Sequence, residues 1–108
     1  MTLIQGNTYE FPVSLKMNGE VLTGDSVSQV EFSFGSIQKV YPLEVNFDGV
    51  YFRVPLTQQD TFSFSTKKPL KYQARVLFND GTVKSTTPVE FSVVESQSRG
   101  ILPKGVSN

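Results

Sequence analysis

The chain of 108 residues contains no cysteine and no histidine, and these two absences exclude several kinds of chemistry. Without cysteine there is no disulfide framework, no thiolate nucleophile and no thiolate metal ligand. Without histidine the commonest general base and the commonest metal-binding side chain are both missing. The sequence therefore predicts a protein that is not an enzyme, has no catalytic residues and binds no cofactor and no metal ion.

An excess of charge of either sign is also missing, since ten lysines and arginines balance ten aspartates and glutamates. A neutral chain lacks the broad positive field that attracts nucleic acids or anionic membranes. No apolar run is long enough to span a bilayer, and residues 1–6 lack the charged start and apolar core of a signal peptide. We therefore expect synthesis in a reducing cytoplasm, and neither nucleic acid, membrane nor small-molecule substrate as a partner.

What the chain does contain is an aromatic-rich pattern of alternation. Its nine Phe and four Tyr suit a pleated, half-buried surface. Apolar and polar residues alternate over most of the chain, which is the period of strands with one buried face. About seven such runs, with turn signals every eight to twelve residues, are typical of a sandwich. The sequence therefore predicts an all-β fold, an immunoglobulin-like antiparallel β-sandwich of about seven strands.

Turn signals separate these runs. A glycine after Asn or Asp supplies the positive φ angles of a tight hairpin, and three such signals occur. They are Asn18-Gly19, Asp48-Gly49 and Asn79-Asp80-Gly81.

Three further features interrupt the alternation. Pro12 cannot donate a ladder hydrogen bond, so its strand is predicted to lie at a sheet edge. Thr57 and Asp60 match a capping box, which predicts one helical turn where the chain crosses between the sheets. Residues 86–88, Thr-Thr-Pro, predict either a bulge or a change of sheet.

Parity along the strands also predicts the core. We expect a sandwich over residues 1–95 and a flexible C-terminal tail over 96–108. Leu43 and Val50 share the inward parity of their runs, whereas Lys39 interrupts such a face. The main inward residues are predicted to be Phe11, Val13, Phe32, Phe34, Val45, Phe52, Val54, Tyr72, Val76, Phe91 and Val93.

Two groups of residues are candidates for binding a partner. Arg99, Ile101 and Leu102 lie in a tail that is too short and too polar to fold alone. Such an apolar pair either docks on a partner or belongs to a frayed end. Tyr51 and Arg53 point outward and combine an aromatic ring with a guanidinium, the mixture of interface hot spots. Tyr41 would extend this patch but has core parity.

Other charged residues have simpler readings. Lys67, Lys68 and Lys71 form a small basic cluster that suits a solvated loop or contact with a phosphate or acidic partner. Asp48 and Asp80 each precede a glycine in a predicted turn, so turn chemistry explains them better than metal binding or catalysis.

The order of features is similar to a class of small proteins from phages and prophages of Gram-positive bacteria. It resembles the N-terminal immunoglobulin-like domain of siphophage upper baseplate proteins. An opening polar-Gly-Asn leads into the first strand, and a Tyr-x-x-x-Val strand ends at an acidic-Gly hairpin. The stretches that carry the resemblance are residues 4–11 (IQGNTYEF), 30–34 (VEFSF) and 72–83 (YQARVLFNDGTV).

The resemblance implies a function. It implies a non-catalytic structural protein of the virion, in the tail, the baseplate or on the capsid surface. Its partners would be other virion proteins or copies of itself, and it would be made in the cytoplasm of a host bacterium. A carbohydrate- or receptor-binding β-sandwich module is the alternative, and it would need an exposed aromatic platform.

Overall fold

The computed structural model describes residues 2–17 and 19–102. Its strands are β1 (Thr2–Ile4), β2 (Tyr9–Val13), β3 (Lys16–Met17), β4 (Glu20–Val21), β5 (Val27–Phe34), β6 (Ile37–Tyr41), β7 (Asn46–Phe47), β8 (Phe52–Leu56), β9 (Leu70–Phe78), β10 (Val83–Ser85) and β11 (Val89–Val94). A 3₁₀ turn covers Gly24–Ser26, and the helix α1 covers Gln58–Phe62. Within these two ranges no helix has the length and apolar character needed to cross a membrane.

The strands form two main sheets and a separate hairpin. The larger sheet has the order β1-β11-β9-β5-β6, and β10 also pairs with β9. The smaller sheet has the order β2-β8-β7, and β3 pairs with β4 alone. The described pairings are antiparallel except for the parallel pair β1–β11. The fold is all-β and sandwich-like, as the sequence predicted, and its N-terminal strand makes the larger sheet mixed.

Aromatic rings from the two sheets meet in the core. Phe11 of the smaller sheet has its ring centroid 5.4 Å from that of Phe34 and 5.3 Å from that of Phe91, both in the larger sheet. Phe52 of the smaller sheet lies 5.8 Å from Phe32. Ten of the eleven main inward residues predicted from the sequence are buried, and the eleventh, Phe91, is half-buried against the core. Strand parity therefore located the core correctly.

The predicted turns close hairpins at the expected places. Adjacent strands pair as β3–β4, β7–β8 and β9–β10 around the three glycine signals. Asn18 of the first signal lies outside the described residues. Pro12 lies in β2, which is an outermost strand of the smaller sheet, so its prediction as an edge residue is confirmed.

The interruption before β11 is a break within one sheet. Both β10 and β11 pair with β9. Between them, the Thr86 hydroxyl accepts a hydrogen bond from the Ala74 N–H at 3.0 Å, and the Thr86 N–H donates to the Ala74 carbonyl at 2.8 Å. The side chain thus replaces a ladder partner where pairing is interrupted. Of the two readings of residues 86–88, the structure supports a local irregularity and not a change of sheet.

The predictions that Leu43 and Val50 face the core were wrong, because turns interrupt the alternation of inward and outward side chains. Strand β6 ends at Tyr41, and the Glu44 N–H donates to the Val40 carbonyl at 2.7 Å across the turn that follows. Leu43 lies in this turn and is 83% exposed. Val50 lies in the loop between β7 and β8 and is also exposed. Alternation predicts the facing of a side chain only while the backbone stays extended.

Candidate functional site

Helix α1 joins the smaller sheet to the larger one, and a capping box begins it. The Thr57 hydroxyl accepts a hydrogen bond from the Asp60 N–H at 3.1 Å, and the Asp60 carboxylate accepts one from the Thr57 N–H at 2.9 Å. Lys39, whose side chain is mostly buried, places its Nζ 3.1 Å from the same carboxylate. Burial raises the pKa of Asp60, but the hydrogen bonds from Thr57 and Lys39 lower it more, so it lies below its ordinary value. The predicted helical turn is confirmed.

The chain between β1 and β2 lies against this helix. The hydroxyl of fully buried Thr61 accepts a hydrogen bond from the Gly6 N–H and donates one to the Asn7 carbonyl, both at 2.9 Å. Gly6 has φ +85°, and a Cβ there would lie 2.7 Å from the ring of Phe62. The glycine therefore permits both the left-handed backbone and the close approach to the ring.

Gln5 connects the N-terminal segment, the end of α1 and the tail. It is 5% exposed. Its Nε2 donates to the Phe64 carbonyl at 2.7 Å, and its backbone N–H donates to the Val94 carbonyl at 3.0 Å. Its Oε1 accepts a hydrogen bond from Nη1 of Arg99 at 3.0 Å. A buried amide needs partners for both ends, and here the tail supplies one of them.

The tail continues from Arg99 along the helix. The Arg99 guanidinium carbon lies 5.1 Å from the centroid of the Phe62 ring, within cation–π range. The Leu102 N–H donates to Oε1 of Gln58 at 2.8 Å, and Nε2 of Gln58 donates back to the Leu102 carbonyl. We call Gln5, Gln58 and Phe62 the tail-binding site. The expected flexibility of the tail stays a prediction, and its residues 103–108 lie outside the described residues.

Two pairs of exposed aliphatic side chains come from the strand ends and from the tail. Ile4 and Val94 are partners in the parallel register of β1 and β11, and they are 42% and 48% exposed. Ile101 and Leu102 are 42% and 62% exposed. We call Ile101 and Leu102 the terminal surface. Ile4 and Val94 are a separate exposed apolar pair at the ends of β1 and β11.

The second predicted patch also forms. The guanidinium carbon of Arg53 lies 5.4 Å from the ring centroid of Tyr51, which is exposed. Asp48 accepts hydrogen bonds from the N–H groups of Tyr51 and Val50, and its Oδ2 lies 2.7 Å from Nε of Arg53. These bonds, from Tyr51 first, then Val50 and Arg53, lower the pKa of Asp48 to about 2. Tyr41 is half-buried in the core, and the binding role of the other two residues stays a prediction.

The lysine cluster lies beside a cleft. Lys68 and Lys71 line a depression of about 470 Å³, together with buried Phe64 and Leu70. Lys67 is exposed in the same loop. Positive charge over an apolar floor suits an acidic partner, and full exposure suits a solvated loop, so both interpretations of the cluster stay open.

The acidic residues show turn chemistry where they were predicted to. The Asp80 carboxylate accepts hydrogen bonds from the hydroxyl and the N–H of Thr82, at 2.7 Å and 2.9 Å. These bonds lower the pKa of Asp80. Over residues 2–17 and 19–102, no three acidic side chains come together as a group that would hold a metal ion.

Sequence reasoning found the tail residues but missed the residues that bind them. Gln5 carried a usable signal, because it continues the inward parity of Leu3, and a polar side chain in a core position must have partners. Gln58 carried none, since it has the appearance of an ordinary exposed residue in the first turn of a helix.

Comparison of the chain with models of protein families, with curated proteins and with solved structures found no match.

Proposed function

We propose that this protein is a non-catalytic structural component of a phage virion, in the tail, the baseplate or on the capsid surface. It acts by binding other virion proteins or copies of itself. The observation that carries the binding role is the terminal surface, where the tail presents two exposed aliphatic side chains next to its hydrogen bonds with Gln5 and Gln58. The resemblance to siphophage baseplate domains supports the virion as the setting.

The terminal surface has the physical properties of a contact region. Burying apolar surface on association is favourable by roughly 25 cal/mol per Å² before the costs of association are subtracted. Ile101 and Leu102 follow Arg99 closely in the chain, and the exposed Arg99 bonds to Gln5 and lies over the Phe62 ring. A partner would therefore meet an apolar pair beside a guanidinium that already has contacts within the domain. The neutral net charge does not keep copies apart.

Deletion of residues 96–108 tests the proposal. The buried apolar residues all lie between Leu3 and Val93, so we expect the shortened chain to keep its far-ultraviolet β-sheet spectrum. We expect it to fail to enter particles when it is expressed with the neighbouring virion genes. Normal incorporation of the folded, shortened chain would contradict a contact role for the tail.

A matched pair of point variants sharpens this experiment. Leu102→Ser removes an aliphatic side chain from the terminal surface, and we expect reduced incorporation. Leu43→Ser removes a leucine that is more exposed still, 83% against 62% for Leu102, from a turn elsewhere, and we expect normal incorporation. Equal effects of the two changes would show that incorporation does not depend on the terminal surface. Genes for tail or capsid proteins next to this gene would support the virion setting independently.

A carbohydrate- or receptor-binding module is the second candidate, and one observation favours it. Tyr51 is an exposed aromatic ring beside the guanidinium of Arg53, a combination that contacts sugars or protein loops. Binding of the purified protein to a glycan array, lost in Tyr51→Ala and retained in Leu102→Ser, would establish this function instead.

A further inference from the structure

The last described residues are held in the manner of a bound peptide. One amide side chain, that of Gln58, bonds to both the N–H and the carbonyl of Leu102. These two bonds are made with backbone groups and do not depend on the side chain at that position. The contact therefore fixes where the segment lies and leaves the leucine side chain exposed.

A second contact selects one type of side chain. The Arg99 guanidinium donates to Oε1 of buried Gln5 and lies over the Phe62 ring. Nε2 of Gln5 is held by the Phe64 carbonyl, so the acceptor oxygen has a fixed direction. The planar guanidinium of arginine can donate to Gln5 and stack on the Phe62 ring at the same time. A lysine could donate the hydrogen bond but could not stack on the ring.

A groove continues the site beyond these contacts. It has a volume of about 510 Å³ and is lined by Tyr9 and Pro55 of the smaller sheet, by Gln58 and by Ile101 of the tail. The groove lies next to β2, which is an outermost strand. The tail-binding site therefore has an arginine contact, a backbone contact at residue 102 and a groove that Ile101 helps to line, which together hold residues 99–102.

We propose that the tail-binding site also accepts residues 99–102 of a second copy, so that neighbouring subunits exchange tails. This inference rests on the proposed assembly function and names the surface that would mediate it. The peptide that demonstrably fits the site is the chain's own tail, so another copy is the partner whose chemistry matches. Reciprocal exchange gives a closed dimer, and successive exchange gives a ring or a filament.

The concentration of subunits determines whether the site binds the tail of its own chain or that of a neighbouring copy. Residues 95–98 connect the tail to β11, and a short connection gives the chain's own tail an effective concentration on the order of 1 mM. The same contacts form in either case, so exchange becomes favourable when subunits are packed at about that concentration or above. The free protein is then a monomer in dilute solution and associates as it is concentrated.

Two full-length variants test the exchange. Gln58→Ala removes the backbone contact of the binding site but keeps an intact tail. Arg99→Ala combined with Leu102→Pro impairs the tail but keeps an intact site, because proline has no N–H to donate to Gln58. Gln38→Ala changes an exposed glutamine of β6 that does not line the groove, and it serves as the matched control. Circular dichroism verifies that all variants are folded.

The readout is molar mass by light scattering over concentrations from about 10 μM to about 1 mM. We expect the wild-type protein and Gln38→Ala to associate, and each of the other two variants to stay monomeric. An equimolar mixture of those two variants should form a heterodimer, since one supplies the tail and the other supplies the site.

Two results would overturn the exchange. Association of both variants to the wild-type extent would show that subunits meet through another surface, and the assembly function would stand. A wild-type protein that stays monomeric throughout would also overturn the exchange, and the incorporation of the tail deletion into particles would then decide the assembly function separately.

Discussion

The hydroxyl of Tyr72 is buried without a hydrogen-bond partner among the described residues, and Tyr72→Phe tests what this costs. The ring packs among aromatic neighbours, with its centroid 4.9 Å from Phe34 and 6.0 Å from Phe91. Burial raises the pKa of Tyr72 above its ordinary value, since it disfavours the phenolate. Phenylalanine keeps every one of these ring contacts and removes only the hydroxyl.

The expected effect is an increase in the free energy of unfolding. An unsatisfied buried polar group costs about 1–3 kcal/mol. The hydroxyl oxygen is itself buried, so we expect Tyr72→Phe to raise the free energy of unfolding by about 1–3 kcal/mol. Urea unfolding followed by circular dichroism measures the change, with an unchanged m-value as the sign that only the folded state is affected.

Tyr9→Phe is the matched control, because the Tyr9 hydroxyl accepts a hydrogen bond from the Ile4 N–H at 2.9 Å. Losing that bond should lower the free energy of unfolding by about 0.5–1.5 kcal/mol. The two substitutions remove the same atom and are expected to act with opposite signs. If Tyr72→Phe destabilises as much as Tyr9→Phe, the reasoning is refuted, and the buried hydroxyl must have a partner.

Phe32→Ala should lower the free energy of unfolding by about 3–5 kcal/mol in urea, because the side chain is fully buried; a loss under about 1 kcal/mol would mean that the core is elsewhere. Gly6→Ala should lower the melting temperature more than Gly49→Ala, since both have positive φ but only Gly6 lies against a ring; equal losses would argue against that contact. The pKa values of Asp48 and Asp60 lie below the ordinary 3.8, so the folded state binds fewer protons than the unfolded chain. Stability should therefore be nearly flat from about pH 6 to 8 and decline as the pH falls from about 4 toward 2, and a sharp change in urea midpoint between pH 6 and 8 would contradict this.

Sequence alone located the strands whose alternation is uninterrupted. From Val30 to the end of β5, and over the whole of β9, every second residue is apolar, so parity identified Phe32, Phe34 and Val76 as core residues, and all are fully buried. It failed at Leu43 because a turn after β6 changes which side of the chain faces inward. The turn depends on backbone hydrogen bonds, which the pattern of apolar and polar residues does not predict.

Lys39 shows a second limit of reasoning from the sequence. It stands opposite Phe32 in the pairing of β5 with β6 and so has an inward position, which looked like a fault in the pattern. Its partner is Asp60, whose carboxylate also caps α1. An inward lysine on an outermost strand also discourages pairing with another sheet. The ion pair with Asp60 of α1 therefore allows Lys39 to occupy an inward position. The pairing could not be predicted from the sequence, because the two residues come together only in the folded chain.

The tail-binding site is a product of the whole fold, which explains why its parts were not predicted together. Gln5 follows the first strand, Gln58 and Phe62 belong to the crossing between the sheets, and Arg99 follows the last strand. Their contacts span 94 residues between Gln5 and Arg99 and 44 between Gln58 and Leu102. The site can therefore form only after β1 has paired with β11 and α1 has capped the sandwich. Assembly through this site would consequently select folded subunits, because an incomplete sandwich presents the tail but not the surface that binds it.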